Sequence, residues 1–164
     1  MLKKEFDIRL ASSKDSRFLQ DMLYECIFIA EGEERPDKDI VKKPELAKYV
    51  EGWKKKGDTG LIVYEIKSLK PAGAVWLRIF SEENKGYGFI NEKIPELSIA
   101  VKPGHRGKGL GTLLLNHLFE TIKGKYSSVS LSVSQNNPAL KLYESSGFYE
   151  FIKAGETIIM KKDL

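Results

Sequence analysis

The sequence predicts an α/β (α+β) fold, a mixed sheet flanked by helices and carried by one domain over residues 1–164. Three observations predict it. A length of 164 residues suits one buried core. The apolar spacing switches along the chain between a period of two and a helical period. The resulting order of strand, helices, meander, helix, strand, helix and closing strands belongs to neither an all-helical nor an all-strand protein.

Each element has a local reason. Phe6-Asp7-Ile8-Arg9-Leu10 alternates and predicts a first strand. Ser12 or Ser13 can cap a helix from about Ser16 to Ala30, with Phe18, Leu19, Met22, Leu23 and Cys26 on its apolar side. Glu31 to Lys43 is polar and irregular, and Pro44 suits the first turn of a helix reaching about Lys55. Leu61 to Lys67 and Ala72 to Phe80 read as strands joined by a turn around Lys70-Pro71-Ala72-Gly73. Ser81 to Gly88 reads as a loop, and Leu97 to Val101 as a strand stopped by Pro103-Gly104. Leu110, Leu113, Leu114, Leu118 and Ile122 keep helical spacing and predict a helix from about Gly109 to Lys123. Val129, Leu131 and Val133 alternate with serines as a strand does. Pro138 to Ser146 predicts a short helix ended by Gly147. Phe148 to Lys153 and Thr157 to Lys162 close the chain as a hairpin.

Composition excludes several function classes. One cysteine, Cys26, allows no intrachain disulfide and no cysteine zinc site. Two histidines, His105 and His117, are too few and too far apart for a metal cluster, so no metal is expected. The net charge of +4 is modest and its basic residues are scattered, so no nucleic-acid partner is expected. No stretch is long and apolar enough to span a bilayer, and the N-terminal residues hold no apolar signal core. The expectation is a cytoplasmic protein with no membrane partner.

The most informative stretch is Pro95 to Thr112. A strand leads into a loop with alternating glycines, Arg106-Gly107-Lys108-Gly109-Leu110-Gly111, and a helix follows at once. Helix N-termini leave backbone N–H groups unpaired and favour negative charge. Glycines let an anion approach those groups, and Arg106 and Lys108 add positive charge. A Walker loop would need Ser or Thr after Lys108, where Gly109 stands. A dinucleotide fingerprint would need glycines at relative positions one, three and six, whereas Gly107, Gly109 and Gly111 are spaced evenly by two. A tight turn whose glycines only satisfy backbone geometry is the plainer alternative.

This segment resembles the coenzyme A-binding motif of the GNAT N-acetyltransferase superfamily, Arg/Gln-x-x-Gly-x-Gly/Ala, at Arg106, Gly109 and Gly111. A second motif of that superfamily, Asn-x-x-Ala-x-x-Leu-Tyr-x-x-x-Gly-Phe, is matched by Asn136, Ala139, Leu142, Tyr143, Gly147 and Phe148. The resemblance implies a mostly antiparallel sheet whose two central strands splay. It implies that acetyl-CoA is the co-substrate, held by main chain at Ile99, Ala100 and Val101 and by the loop from Arg106 through Gly107, Lys108, Gly109, Leu110 and Gly111 to Thr112.

The resemblance also implies residue roles. Tyr143 falls at the family's general-acid position, able to protonate a departing thiolate; otherwise it is a helix aromatic packed on the sheet. Asn136 would orient the pantetheine, cap the helix ahead of Pro138, or both. Glu96 opens the cofactor strand, where relatives place a basic carboxylate or a water held by one; the alternative is a charged residue at a strand end, with Glu92 as the other base candidate. Cys26 belongs with the apolar stripe of the first helix.

Acceptor contacts are less defined. Alternation puts Trp76 and Arg78 on one face of their strand and Val75, Leu77 and Ile79 on the core face. Trp76 and Arg78 either line the acceptor cleft, or pack under a helix with Arg78 paired to Glu96. Glu31, with Glu33 and Glu34, either attracts a cationic amine or forms a solvated loop. The expected activity is acetyl transfer from acetyl-CoA to an amine, on a small molecule or a protein, by direct attack in a ternary complex. A non-catalytic acyl-CoA-binding regulatory module is the alternative, and a nucleotide-binding protein is a third reading. The family's habit also implies a homodimer, for which the closing strands are available.

Overall fold

The computed structural model describes residues 4–164. Seven strands form one sheet: β1 (Phe6–Leu10), β2 (Thr59–Glu65), β3 (Pro71–Arg78), β4 (Glu96–Val101), β5 (Ser128–Ser134), β6 (Tyr149–Ala154) and β7 (Thr157–Asp163). Their order is β1-β2-β3-β4-β5-β7-β6. Every neighbouring pair is antiparallel except β4 and β5, which run parallel and share the single register pair Glu96↔Ser130. The sheet is therefore mixed and mostly antiparallel. Beyond Glu96 the two central strands part, and the gap between them becomes the site described below.

Both faces of the sheet are covered, because β3 is apolar on both sides. Val75 and Leu77 join α3 (Leu110–Thr121) in one core, where Leu110, Leu114, Leu115 and Leu118 form the buried stripe. Ala74 and Trp76 join α1 (Ser16–Glu25) in the other, with Leu19, Met22 and Leu23. Ile79, expected in the core with Val75 and Leu77, lies just beyond β3 and is exposed at 39%. Where a strand ends, the alternation that assigned its face ends with it.

Two helices are shorter than their sequence suggests. The spacing predicts helix to Ala30, yet α1 stops at Glu25 with Cys26 as its cap. Ile27-Phe28-Ile29 follows, three β-branched or aromatic residues with weak helix preference. This run instead forms a cavity wall. The second helix, α2, spans only Pro44–Ala47 rather than reaching Lys55. The carbonyls that would continue it are taken from across the fold. Trp76 Nε1 donates to Tyr49 O at 3.0 Å, and Arg78 Nη1 donates to Lys48 O at 2.8 Å and to Glu51 O. The last helix, α4 (Leu140–Ser145), and the hairpin of β6 and β7 close the fold. Among the described residues no helix is long and apolar enough to cross a membrane.

Candidate active site

Two cavities lie where β4 and β5 part. The larger, about 540 Å³, runs from the end of α1 past Ile99, Ala100 and Val101 to Arg106, Gly111 and the start of α4. The smaller, about 230 Å³, lies on the far side of the splay and has Glu96 in its wall. Cys26, Ile27, Ile99, Asn137 and Tyr143 line both. Tyr143 thus stands in the wall of both.

At the outer end of the larger cavity stands the start of α3. Gly107 and Gly109 hold φ of +78° and +81°, in the left-handed region that favours glycine. A Cβ at either would meet no protein atom within 4 Å, so it is the turn's backbone conformation that favours glycine at these two positions. Gly111 is different: a Cβ there would lie 3.0 Å from Leu142 Cδ2, so it lets α3 and α4 pack closely. No side chain caps α3, which leaves the N–H groups of its first turn for a ligand. Leu110 is itself buried in the core, so only its main chain faces this role. Lys108 and Thr112 are exposed and line neither cavity, and the Lys108 ammonium lies over the Phe6 ring. Arg106 is oriented by its own loop: Nε donates to Val101 O at 3.1 Å, and Nη2 pairs with Glu25 Oε2 at 3.0 Å. Arg35 reaches the same Glu25 oxygen at 3.5 Å and also lines this cavity.

Tyr143 is nine-tenths buried, with its ring edge-on to Phe148 at 6.1 Å. Burial holds its phenol protonated well above the usual range, helped by the nearby Cys26. The Cys26 thiol donates to Ile99 O at 3.3 Å, and burial pushes its pKa up to about 12. A thiol so held is a poor nucleophile at neutral pH.

Glu96 is 4% exposed. Its Oε2 accepts from the Tyr49 hydroxyl at 2.5 Å, and its Oε1 accepts from Gly88 N at 3.0 Å. Burial raises its pKa from 4.5 to about 7, and these two hydrogen bonds oppose the rise. The carboxylate is hemmed in by a loop that runs flat against it. A Cβ on Gly86 would fall within contact of Glu96 Oε1, and one on Gly88 would lie 2.8 Å from the Leu131 backbone. Ser130 Oγ donates to Gly88 O at 2.7 Å, and Tyr87 N donates to Tyr49 Oη at 2.7 Å. The serine face of β5 thus holds the loop that closes the splay beside Glu96.

The structure corrects several expected positions. Trp76 and Arg78 line neither cavity. Trp76 is fully buried, and the Arg78 guanidinium is clamped by Asp58 at 2.8 and 3.1 Å rather than by Glu96. A guanidinium has five donors, and the Asp58 carboxylate and two main-chain carbonyls occupy its fork inside the protein. Glu31 is exposed and lines neither cavity, because α1 ends before it. Asn136 is exposed too and lines neither cavity, whereas its neighbour Asn137 does. Asn137 lines both cavities, and its Oδ1 accepts from Ala139 N at 2.9 Å at the start of α4. Glu92 accepts from Glu82 N on the exposed loop, away from both cavities. Tyr49, Tyr87 and Gly88 were not apparent in the sequence. The pair Gly86 and Gly88 around a tyrosine was the one local signal, and Asn136-Asn137 in tandem was the other.

A profile of the acetyltransferase (GNAT) family matches residues 21–148. The chain belongs to this family. It is 44% identical over 55 residues to the L-amino acid N-acyltransferase MnaT of Escherichia coli (strain K12), a stretch that spans 32% of each protein. Among solved structures, PaiA N-acetyltransferase of Thermoplasma acidophilum in complex with coenzyme A matches with a TM-score of 0.69 at 19% identity, over 98% of this chain and 100% of that one. YncA of Salmonella typhimurium with acetyl-CoA matches with a TM-score of 0.67 at 22% identity, over 98% and 95%. These GNAT structures share the fold of the present chain.

Proposed function

We propose that this chain is an N-acetyltransferase that moves an acetyl group from acetyl-CoA to an amine by direct attack in a ternary complex. One observation carries the reading. A cavity leading from the uncapped start of α3 and a second cavity holding a buried carboxylate share Tyr143 in their walls. The Arg106 loop and the α3 N–H groups suit the pyrophosphate of coenzyme A, and the β4 main chain at Ile99 to Val101 suits its pantetheine arm.

The proposed steps balance. Glu96 accepts one proton from the ammonium of the acceptor. The freed nitrogen attacks the thioester carbon, so a C–N bond forms and the carbonyl oxygen takes up charge. Collapse breaks the C–S bond, and Tyr143 donates its proton to the departing thiolate. The amide nitrogen then releases its remaining extra proton, which restores Tyr143, and Glu96 returns its proton to solvent. A phenol kept protonated by burial and a carboxylate titrating near neutrality suit these two roles.

The test is release of free thiol from acetyl-CoA with and without a panel of amines. Amine-dependent release is the expected result. Tight binding of acetyl-CoA with no amine-dependent release across the panel would instead favour a non-catalytic acyl-CoA-binding module.

A further inference from the structure

The smaller cavity also carries information about the acceptor. Its volume, about 230 Å³, is under half that of the larger cavity, which suits a compact occupant. Its wall is mixed: Leu23 from α1, Leu46 from α2, and Leu131 and Val133 from β5 supply an apolar side, while Ser98, Ser132 and Asn137 supply neutral polar groups. Two tyrosines complete it. Tyr49 and Tyr87 stack with ring centroids 6.4 Å apart and planes 11° from parallel, and Tyr87 is 55% exposed at the rim. Phe80 braces Tyr49 edge-on at 5.0 Å. Within this surround Glu96 presents a buried carboxylate.

We infer that the acceptor is a compact primary amine on an apolar body, aromatic or branched aliphatic. The inference rests on the N-acetyltransferase reading and names its substrate class. The nitrogen sits at Glu96, the one carboxylate in the lining. The carbon body lies against the leucines and the stacked rings, where flat rings pack well. An α-amino acid fits worse, because its carboxylate would be held next to Glu96, and like charges at that range oppose each other. A polyamine fits worse, because Glu96 is the single carboxylate in the lining and a further ammonium would find no counter-charge there. The stem of a protein lysine fits the walls but offers no ring or branch to the tyrosine pair.

The experiment compares kcat/KM for 2-phenylethylamine and isoamylamine with that for phenylalanine, spermidine and a lysine-containing peptide, using the full chain and acetyl-CoA. The expected result is at least a tenfold preference for the first two. Leu46→Asp should lower kcat/KM for 2-phenylethylamine at least tenfold while coenzyme A binding, measured by calorimetry, stays unchanged. Equal or better rates with phenylalanine, spermidine or the peptide would overturn the inference and leave the N-acetyltransferase reading standing. Thiol release with none of the five acceptors would overturn both.

Discussion

The Tyr49 hydroxyl donates to Glu96 Oε2 at 2.5 Å and accepts from Tyr87 N at 2.7 Å. One phenol thus ties the segment after α2 and the loop after β3 to the buried carboxylate. The hydrogen bond to Glu96 favours its ionised form, and burial favours its neutral form. The balance leaves the pKa near 7, which suits a base working at neutral pH.

Tyr49→Phe should therefore move the pH profile. Removing a donor to the carboxylate raises the pKa of Glu96 further, so the acidic limb of kcat/KM shifts to higher pH. A hydrogen bond to a charged group contributes about 1.5–3 kcal/mol, which corresponds to a shift of about one to two pH units. A lower rate with an unmoved limb would assign Tyr49 to packing alone.

Glu96→Gln should remove that limb and most of the turnover, and it should also change the dependence of stability on pH. The folded-state pKa of Glu96 lies above its ordinary 4.5, so the native state binds this proton more tightly than the unfolded chain. The stabilisation is fully present below about 4.5 and is lost as pH rises through about 7. Urea denaturation between these values should show wild-type stability falling with pH more steeply than that of Glu96→Gln.

Tyr143→Phe keeps the ring against Phe148 and removes only the proton donor. Turnover should fall by about 10²–10⁴-fold, the usual range for a lost general acid. Coenzyme A binding, read by calorimetry, should remain within about twofold of wild type if the hydroxyl acts only in the chemical step. Unchanged turnover across pH would remove Tyr143 from the mechanism.

Arg78 and Asp58 form a buried pair, 5% and 2% exposed in their side chains. Arg78→Met removes the cation paired with Asp58, whose Oδ2 then keeps only the N–H groups of Lys54 and Lys55, and also frees the carbonyls of Lys48 and Glu51. The expected loss is about 3–5 kcal/mol in chemical denaturation. Arg78→Met combined with Asp58→Asn should recover part of it, because no buried charge is then left alone.

The same residues mark how far the sequence could be read. Local spacing reveals the stripe Leu110, Leu114 and Leu118 of α3 and the alternation of β5, because each depends on neighbours a turn or a pleat away. What alternation could not reveal is where each side chain turns next. Arg78 finds Asp58, and Glu96 finds Tyr49, across sequence separations of 20 and 47 residues. Those choices depend on which segments fold over the β3–β4 pair, and spacing carries no information about that. The glycine loop was legible for the opposite reason, since strand, turn and helix end are contiguous there.

That loop supplies the last prediction. Arg106 is paired with Glu25 at 3.0 Å, and Arg35 approaches the same oxygen at 3.5 Å. A phosphate arriving at the start of α3 therefore competes with a carboxylate for the Arg106 fork. Arg106→Gln should weaken coenzyme A binding about tenfold, or about 1.4 kcal/mol, through loss of a charge-assisted contact. Glu25→Gln should act in the opposite direction, because it removes both the competitor and a negative charge near the incoming phosphates. Raising salt should narrow the difference between Glu25→Gln and wild type, since both arginines are half exposed and open to screening. Calorimetric titration of coenzyme A at low and high salt checks all three. Weaker binding by Glu25→Gln would show that Glu25 orients Arg106 for the cofactor rather than competing with it.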